Sequence, residues 1–404
     1  MLELPLDLQS SNLYLDLAME FRQQNHDVFV IAPSIGDQKT DLYQERGLNV
    51  LRVKALKQSG IKSVFKKGLA QVLLPYQYKM AYLKYLKKEQ FDLLLMPTPP
   101  ITMINVALFV KKRTKSCLYL ILRDIYPQGA ADLGLVKFKF IFSYLKYIEQ
   151  KTYKNADVIG CMSQGNIDYI SEFNPSIPKN KLVLLPNWQN ACTIDSNKVD
   201  IREKYNLENK YLVLFGGAIG YAQKVENIIL LANQYQSNKQ IVFLVIGNGV
   251  KKEYLKELAK ESQLQNIIFM DSLPREEYLT FVEISDVGLI TIDERFTVPT
   301  IPSKTTSYFC SKLPILAIID AHTDYGKILE EANAGLWSVG GDDQKLFANF
   351  DLFYNNPELR QKMGQNGFEY FTNNLTSDKA YLNIMNSIKT QSSPDFSNNE
   401  YINI

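Results

Sequence analysis

Short apolar runs recur along the chain and alternate with longer polar segments that carry a helical pattern. In the first half these runs occupy residues 28–33, 48–53, 91–96, 117–122, 156–161 and 181–185. In the second half they occupy residues 211–215, 241–246, 267–270, 287–290 and 315–319. Continuous apolar runs are typical of parallel strands that are covered on both faces. The pattern therefore predicts an α/β protein with two doubly wound, Rossmann-like domains, because 404 residues exceed what one core holds.

The polar stretch 189–200 lacks periodicity and predicts the hinge between these domains. We place the N-terminal domain at 1–188, the linker at 189–200 and the C-terminal domain at 201–375. The tail 391–404 has a disorder-like composition. Near the start, a helix is predicted from Leu13 to Gln23 with Ser10 or Ser11 as its cap, whereas the strand expected before it has a poor pattern.

A glycine cluster follows the apolar run 211–215. Gly216, Gly217 and Gly220 stand between this run and the helical pattern of 225–232. A strand, a glycine-rich turn and a helix together let backbone N–H groups approach a diphosphate closely. An ordinary turn between strand and helix is the alternative, and a lone glycine cluster does not decide between them. Gly247 and Gly249 end the next strand and offer a second place for close approach.

Charged residues follow two further predicted strands. Arg123 and Asp124 come directly after the run 117–122, at the sheet edge where open α/β sheets bind ligands. This pair could orient an acceptor hydroxyl or contact a phosphate, and a local ion pair is the alternative. Ser303 is a predicted N-cap, and Lys304 in the first helical turn could meet a phosphate. A lysine there opposes the helix dipole, which favours a functional reason for it.

Composition excludes several classes of protein. With 45 basic and 43 acidic residues the net charge is +2, so no nucleic-acid partner is expected. The four cysteines form no CxxC pair, and Cys117, Cys161 and Cys310 lie in or beside apolar runs. This usage predicts reduced core cysteines and a cytoplasmic protein. The start lacks the features of a signal peptide, and prolines interrupt the most apolar stretch, 91–110, so no transmembrane helix is predicted.

The basic residues are nonetheless unevenly distributed. Residues 59–88 interleave seven lysines with aliphatic and aromatic residues, and Pro75 divides the stretch into two amphipathic helices. Such helices can lie in an anionic lipid interface, although a helix with a solvated lysine face is an equal alternative. Residues 137–142 alternate lysine with phenylalanine, which favours the membrane. We therefore predict peripheral contact with an anionic membrane through 59–88 and 137–142.

The order of these motifs resembles that of the GT-B glycosyltransferases. The closest resemblance is to retaining family 4, and within it to bacterial surface-polysaccharide enzymes of the O-antigen and colanic-acid type. The resemblance spans nearly the whole chain. It is carried by residues 122–127, 162–165, 185–188, 215–224, 246–249, 298–304, 308–309, 313–315, 333–335, 342, 356–360 and 363–364.

This resemblance implies a GT-B fold, in which two Rossmann-like domains face a central cleft and a C-terminal helix at 376–390 packs back on the N-terminal domain. The implied ligand of the C-terminal domain is a nucleotide-sugar, with UDP as the expected nucleotide. The implied donor-binding residues are Gly216, Gly217, Gly220, Gly247, Gly249, Ser303, Lys304 and Ser307. The implied acceptor-binding residues are Ser10, Ser11, Asn12 and Tyr126. The implied catalytic residues are Asp124, Arg123 and Lys224, with Lys224 and Lys304 offsetting the charge of the diphosphate.

Retaining enzymes of this type position the acceptor so that the donor phosphate itself takes the acceptor proton. The chain has only two histidines, His26 and His322, and no Asp-x-Asp motif that could hold a metal-bridged diphosphate. We therefore predict that the enzyme needs no metal and no cofactor. His26, at a predicted helix–strand turn, is interpreted as structural.

The resemblance predicts a cytoplasmic enzyme at the inner face of the cell membrane. It would transfer a hexosyl or N-acetylhexosaminyl group to a polyprenyl-diphosphate-linked saccharide in capsule, O-antigen or exopolysaccharide synthesis. Two alternatives are a non-hydrolysing nucleotide-sugar epimerase and a catalytically silent GT-B subunit. The chain departs from the wider family at three positions: Pro299 and Ser307 replace a Glu-x7-Glu pair, whose second Glu grips the ribose, and Gly217 replaces an arginine.

Overall fold

The computed structural model describes residues 12–34, 38–54, 64–191 and 198–391, but not the side chains of 64–72, 198–200 and 391. The chain divides into two compact units. Unit 1 comprises Met1–Ala131, Val136–Pro186 and Ser377–Ile404, and unit 2 comprises Asp132–Leu135 and Asn187–Thr376. Within the described ranges, no helix combines the length and the apolar character needed to cross a bilayer.

Unit 1 holds two small sheets. Up to Pro186 its elements are α1 (Leu13–Gln23), β1 (Phe29–Pro33), β2 (Asp41–Glu45), β3 (Leu48–Val53), α2 (Val64–Tyr85), β4 (Leu93–Thr98), α3 (Ile104–Thr114), β5 (Cys117–Leu122), α4 (Gln128–Asp132), α5 (Lys139–Asn155), β6 (Val158–Cys161), α6 (Gln164–Phe173) and β7 (Leu182–Leu184). The first sheet has the order β1-β3-β2, and the second has the order β4-β5-β6-β7 with every pair parallel.

Two local features of unit 1 differ from the sequence-based expectation. Strand β2 was not predicted, because its sequence, Asp-Leu-Tyr-Gln-Glu, is polar and it lies antiparallel at the edge of its sheet. Helix α1 has the predicted bounds, but its cap is Asn12, whose Oδ1 accepts from the amides of Tyr14 (3.1 Å) and Leu15 (3.0 Å). Ser10, Ser11 and the predicted strand before them lie outside the described residues.

Unit 2 contains a six-stranded parallel sheet with helices packed against it. Its elements are α7 (Lys198–Lys204), β8 (Tyr211–Gly216), α8 (Glu226–Gln234), β9 (Ile241–Ile246), α9 (Lys252–Glu261), β10 (Ile267–Met270), α10 (Arg275–Ile284), β11 (Val287–Thr291), α11 (Lys304–Cys310), β12 (Ile315–Ile319), α12 (Tyr325–Glu331), β13 (Gly335–Val339), α13 (Asp343–Asn355) and α14 (Pro357–Asn374). Helix α7 begins inside the stretch that was predicted as the linker.

The strand order of this sheet is β10-β9-β8-β11-β12-β13. Counted within the sheet, this order is 3-2-1-4-5-6, which is that of the Rossmann fold, and every strand pair is parallel. The direction of winding reverses between β8 and β11, and ligands of such sheets bind at the carboxyl ends of the strands there. The edge strand β13 was not predicted, since Gly335 and Ser338 interrupt its apolar character.

The last described helix, α15 (Ser377–Gln391), belongs to unit 1 and packs against α1. His26 Nε2 lies 3.0 Å from the Tyr381 hydroxyl of α15, and the Phe21 and Tyr381 rings meet edge to face. These contacts give His26 a structural setting, and they attach the end of the chain to the beginning of unit 1.

The prediction of reduced cysteines holds for Cys117 and Cys161, which are free. It is wrong for Cys310, which is buried at the end of α11 and is disulfide-bonded. Sequence spacing could not indicate this bond, because the distance between two cysteines in space is set by the tertiary fold.

Candidate active site

The candidate donor site lies at the switch point of the unit 2 sheet. The glycine loop, defined as residues 216–220, leaves the carboxyl end of β8, and the segment after β11 leads to Lys304. Gly217 has φ +112° and is exposed, so a residue without a side chain is required at this turn. The predicted pattern of strand and glycine turn is present, but a 3₁₀ turn at Tyr221–Gln223 separates the loop from α8.

The turn after β9 holds the glycine loop in position through backbone contacts. Gly217 N donates to Ile246 O (2.9 Å), and Ile219 N donates to Asn248 O (3.0 Å). A Cβ atom on Gly247 would lie 1.9 Å from Gly217 O. A Cβ atom on Gly249 would lie 2.1 Å from Ile219 O. Glycine is therefore needed at both positions for packing between two backbones, and contact of Gly247 or Gly249 with a donor stays a prediction.

Most amides of the glycine loop already have partners within the protein. Gly216 N donates to the Tyr308 hydroxyl (3.1 Å), and Gly220 N donates to Gln223 Oε1 (3.2 Å). Gly216 is buried and Gly220 is half-buried, whereas Gly217 and Ala218 are exposed. An amide that is already bonded gains little from a second acceptor, and this applies to Gly217 N as well, because it donates to Ile246 O. The segment Gly217–Ala218 is therefore open to a ligand through its exposed backbone surface, and not through a free amide of Gly217.

Lys304 places a positive charge beside this segment. Its Cε lies 3.8 Å from the point where a Cβ on Gly217 would stand, and its Nζ lies 3.7 Å from the centre of the Phe215 ring. The Nζ atom is buried and makes no hydrogen bond to the described residues. Burial lowers the pKa of this ammonium from its ordinary value to about 7. A buried ammonium without a hydrogen-bonding partner is costly, and an anion bound at the loop would stabilise it.

The neighbouring cations differ from Lys304, because each is already paired with a carboxylate. Lys224 Nζ contacts Glu294 Oε1 at 2.5 Å, and this hydrogen bond raises the pKa of Lys224. Arg295 forms a bidentate pair with Asp293, with both nitrogen–oxygen distances at 2.7 Å. Lys224 therefore needs to exchange its partner before it can serve a phosphate. Its catalytic role stays a prediction.

Two predicted donor-site residues lie close to Lys304 in sequence. Ser303 occupies the N-cap position of α11, but its side chain makes no capping hydrogen bond, so the predicted N-cap function is wrong. Ser307 donates from Oγ to Gln189 Oε1 at 2.8 Å. Gln189 also accepts from Thr306 Oγ1 at 3.3 Å. The residue that stands in place of the second Glu of the family pair thus hydrogen-bonds a buried glutamine.

In unit 1, Arg123 and Asp124 follow β5 as predicted, and the side chain of Asp124 reaches solvent. Desolvation by the surrounding protein raises the pKa of the Asp124 carboxyl, and the charge of Arg123 offsets part of this increase. Tyr14 interacts electrostatically with both residues, and burial raises its pKa. Tyr126 is half-buried in the same loop, where its amide donates to Asp124 O at 3.1 Å.

Three aromatic residues shape these sites, although none of them was predicted to have a role there. Tyr308 accepts from Gly216 N and donates to Leu214 O (3.1 Å), the Phe215 ring lies under Lys304 Nζ, and Tyr14 interacts electrostatically with Arg123 and Asp124. Tyr308 and Phe215 stand in motifs that carry the family resemblance, which was the only signal for them. Each of the three lies in an apolar run or in an amphipathic helix, where an aromatic residue is ordinarily interpreted as core.

We found no group of three or more His, Cys, Asp or Glu residues arranged to hold a metal ion within the part of the chain that the structure describes. Metal independence remains a prediction.

Part of the chain is similar to a known family. Residues 197–370 match the model of the glycosyl transferases group 1. Over 300 residues the chain is 23% identical to the probable glycosyltransferase WbjE of Pseudomonas aeruginosa, covering 72% of each protein. Over 187 residues it is 22% identical to the putative colanic acid biosynthesis glycosyl transferase WcaI of Escherichia coli K12, covering 45% of each.

Solved structures show the fold. Sucrose-phosphate synthase from Thermosynechococcus elongatus superposes with a TM-score of 0.72 at 15% identity, covering 93% of this chain and 92% of that one. WaaG, a glycosyltransferase involved in lipopolysaccharide biosynthesis, gives 0.65 at 14% identity, covering 94% and 95%. Anabaena HepE, solved with UDP and glucose, gives 0.68 at 14% identity, covering 94% and 96%. The predicted GT-B class with Rossmann-like parallel sheets is confirmed.

Proposed function

We propose that this protein is a retaining glycosyltransferase that transfers a hexosyl or N-acetylhexosaminyl group from a UDP-sugar to a lipid-linked saccharide. The pathway would be the synthesis of a bacterial surface polysaccharide at the inner face of the cell membrane. The observation that supports this proposal best is Lys304, whose buried ammonium makes no hydrogen bond within the described part of the chain. It lies beside an exposed glycine at the switch point of a Rossmann sheet, in the segment that matches the group 1 glycosyltransferases.

The proposed chemistry follows from the charge that develops when the sugar leaves. As the bond between the sugar and the phosphate oxygen breaks, negative charge accumulates on the diphosphate. An ammonium held nearby stabilises this charge more strongly in the transition state than in the bound donor. Lys304 would supply this charge from a desolvated position, where electrostatic interactions are stronger than in water. The Gly217–Ala218 segment would let the diphosphate approach the backbone.

The acceptor would bind unit 1 near the loop that follows β5. Asp124 is exposed there, and its carboxylate can accept a hydrogen bond from an alcohol. We assign it the orientation of the acceptor hydroxyl, whose proton passes to the donor phosphate.

A panel of UDP-sugars with a soluble analogue of a lipid-linked GlcNAc acceptor tests the proposal. We expect one UDP-sugar to give a glycosylated product with retained anomeric configuration, measured by mass spectrometry and NMR. Asp124→Asn should keep the affinity for the UDP-sugar within about twofold and lower transfer roughly 10²-fold. Failure of every UDP-sugar to bind would exclude the proposal, and conversion of a UDP-sugar without acceptor would indicate the epimerase instead.

Binding of the donor should be coupled to uptake of a proton by Lys304. The pKa of Lys304 lies near 7 in the free protein, and a bound diphosphate would raise it. Below about pH 6 the lysine is charged in both states, whereas above pH 7 the free lysine loses its proton and must regain it on binding. We expect clear proton uptake near pH 8, much less near pH 6, and affinity that falls as pH rises above 7.

Isothermal titration calorimetry in buffers of different ionisation enthalpy measures this uptake. The titrant is an intact UDP-sugar, since its diphosphate diester has no phosphate that titrates near pH 7. Lys304→Met should bind more weakly and without proton uptake. Equal proton uptake by the wild type and by this variant would show that another group is responsible.

A further inference from the structure

A row of aromatic side chains is exposed along helix α5 of unit 1. Phe140, Tyr144 and Tyr147 are 73%, 53% and 62% exposed, and we call them the aromatic stripe. Their spacing of four and three residues places them on one face of the helix. Phe138, which is 60% exposed, extends the row, with its ring centre 5.7 Å from that of Phe140. The opposite face of α5 is buried through Leu145, Ile148, Thr152 and Tyr153.

The charges of helix α5 and of the neighbouring helix α3 are almost entirely positive. Helix α5 contains four lysines and one acidic residue, Glu149, and the exposed Lys137 precedes it. Glu149 is only 1% exposed, and its carboxylate accepts from Lys146 (2.8 Å) and from the Tyr153 hydroxyl (3.2 Å). Helix α3, which packs against α5, has three basic residues and no acidic one. The surface that borders the stripe therefore carries no exposed acidic side chain on these two helices.

Helix α2 was the other stretch predicted to contact a membrane, and its described side chains have a different role. Leu74, Tyr78 and Tyr82 are buried in a core cluster with β3 and α3, so the aromatic face of residues 73–85 packs inside unit 1. Tyr76 and Met80 are the exposed large hydrophobic residues of this part of α2. The alternative of an ordinary helix is therefore supported for residues 73–85, whose apolar face packs in the core. The predicted division at Pro75 is wrong, because α2 continues through this residue. The side chains of 64–72 lie outside the description.

We propose that the aromatic stripe, together with Lys137 and Lys139, binds the surface of an anionic lipid bilayer. Tyrosine and phenylalanine favour the boundary between headgroups and acyl chains, and lysines at the edge of such a row attract anionic headgroups. Helix α5 would lie parallel to the bilayer plane with the stripe inserted. A protein partner would need an acidic, apolar surface, whereas an anionic membrane offers both properties over an unlimited area.

This inference deepens the proposed function, which includes a location at the membrane, by naming the surface that would bind there. Its observations are exposure and charge in unit 1, and none of them involves a residue of the donor site. A membrane surface is also where a lipid-linked acceptor would be found. The stripe would then raise the local concentration of acceptor without contacting the reacting atoms.

Flotation with vesicles tests the proposal on the full chain. We expect binding to vesicles of phosphatidylcholine mixed with phosphatidylglycerol and weak binding to phosphatidylcholine alone. Tyr144→Ser with Tyr147→Ser should reduce the partition coefficient about tenfold, and Lys137→Gln with Lys139→Gln should reduce it by about tenfold or more.

The matched control is Phe173→Ser with Leu184→Ser, since these residues are 58% and 49% exposed elsewhere in unit 1. The control should bind as the wild type does.

Two results would overturn the proposal. One is vesicle binding that is unchanged in the stripe variant, which is Tyr144→Ser with Tyr147→Ser. The other is self-association of the wild type in sedimentation velocity that the stripe variant abolishes. The stripe variant should keep the wild-type melting temperature and full transfer to a soluble acceptor. If the wild type also fails to use a soluble acceptor, the proposed function fails, while the vesicle measurement still decides on the stripe.

Discussion

Replacement of Lys304 by methionine is expected to lower kcat/KM for sugar transfer by roughly 10²- to 10³-fold while making the free protein more stable. The loss of activity follows because one charged group that faces the leaving diphosphate in a desolvated site contributes about 3–4 kcal/mol to transition-state stabilisation. The gain in stability follows because the buried Nζ has no hydrogen-bonding partner among the described residues. Methionine fills a similar volume without a charge.

The stability gained by Lys304→Met also depends on pH, and it should shrink as the pH rises. Since burial lowers the pKa of Lys304 to about 7, the unfolded chain binds more protons than the folded protein between about pH 7 and the ordinary lysine pKa near 10.5. The stability of the wild type should therefore rise with pH across this window. The methionine variant should lack that contribution. Thermal melts from pH 6 to 9, with steady-state kinetics on both proteins, measure the two effects.

Lys312→Met is the matched control for this variant. Lys312 also lies over an aromatic ring, with its Nζ 5.0 Å from the centre of the Phe368 ring, but it follows the carboxyl end of α11. We expect its removal to change kcat/KM less than about twofold, as is usual for a surface lysine. If both variants retained wild-type kinetics, the donor site would not be at Lys304.

Substitution of Gly247 by alanine is expected to lower activity about 10²-fold and to destabilise unit 2 by about 2–4 kcal/mol. The added Cβ would stand 1.9 Å from Gly217 O, so one of the two backbones must move. Such a movement would break the hydrogen bonds from Gly217 N to Ile246 O and from Ile219 N to Asn248 O. The glycine loop would then lose its position relative to Lys304. Denaturant unfolding and titration with a UDP-sugar measure the two effects.

Gly341→Ala is the control for Gly247→Ala, because it adds a Cβ at a glycine with positive φ without crowding a neighbouring atom. Gly341 has φ +88°, but no heavy atom lies within 4 Å of the position of its added Cβ. This variant should lose about 1 kcal/mol of stability and keep its affinity for the donor. Equal loss of donor binding in both variants would show that the turn after β9 does not support the loop specifically.

Lys252 shows how much of this support lies outside the predicted motifs. Its Nζ lies within hydrogen-bonding distance of four acceptors, which its three N–H groups share: Gly247 O (2.8 Å), Asn248 Oδ1 (3.0 Å), Met270 O (2.8 Å) and Asp271 Oδ1 (2.6 Å). One buried ammonium thus ties the turn after β9 to the end of β10. The sequence gives no sign of this role, because a lysine at the start of an amphipathic helix is ordinarily solvated.

The sequence by itself determined the parallel strands and the motifs at their ends. Continuous apolar runs identified every strand within the described ranges except β2 and β13, whose sequences are polar or contain glycine and serine at a sheet edge. The glycine loop and Lys304 could be found in the same way, since a strand fixes which residue comes at its carboxyl end. These predictions depend only on local periodicity, which is a property of residues that are close together in the sequence.

Only the tertiary structure decided which of the candidate residues has an uncompensated charge and which face of a helix is exposed. Lys224 and Lys304 look alike in the sequence, but Glu294, seventy residues from Lys224, neutralises Lys224. Lys304 Nζ is buried and has no hydrogen-bonding partner among the residues that the structure describes. In the same way, α2 and α5 are both basic and aromatic, yet the described aromatic residues of α2 lie mostly in the core. Burial and pairing depend on residues far apart in the chain, so no local pattern can specify them.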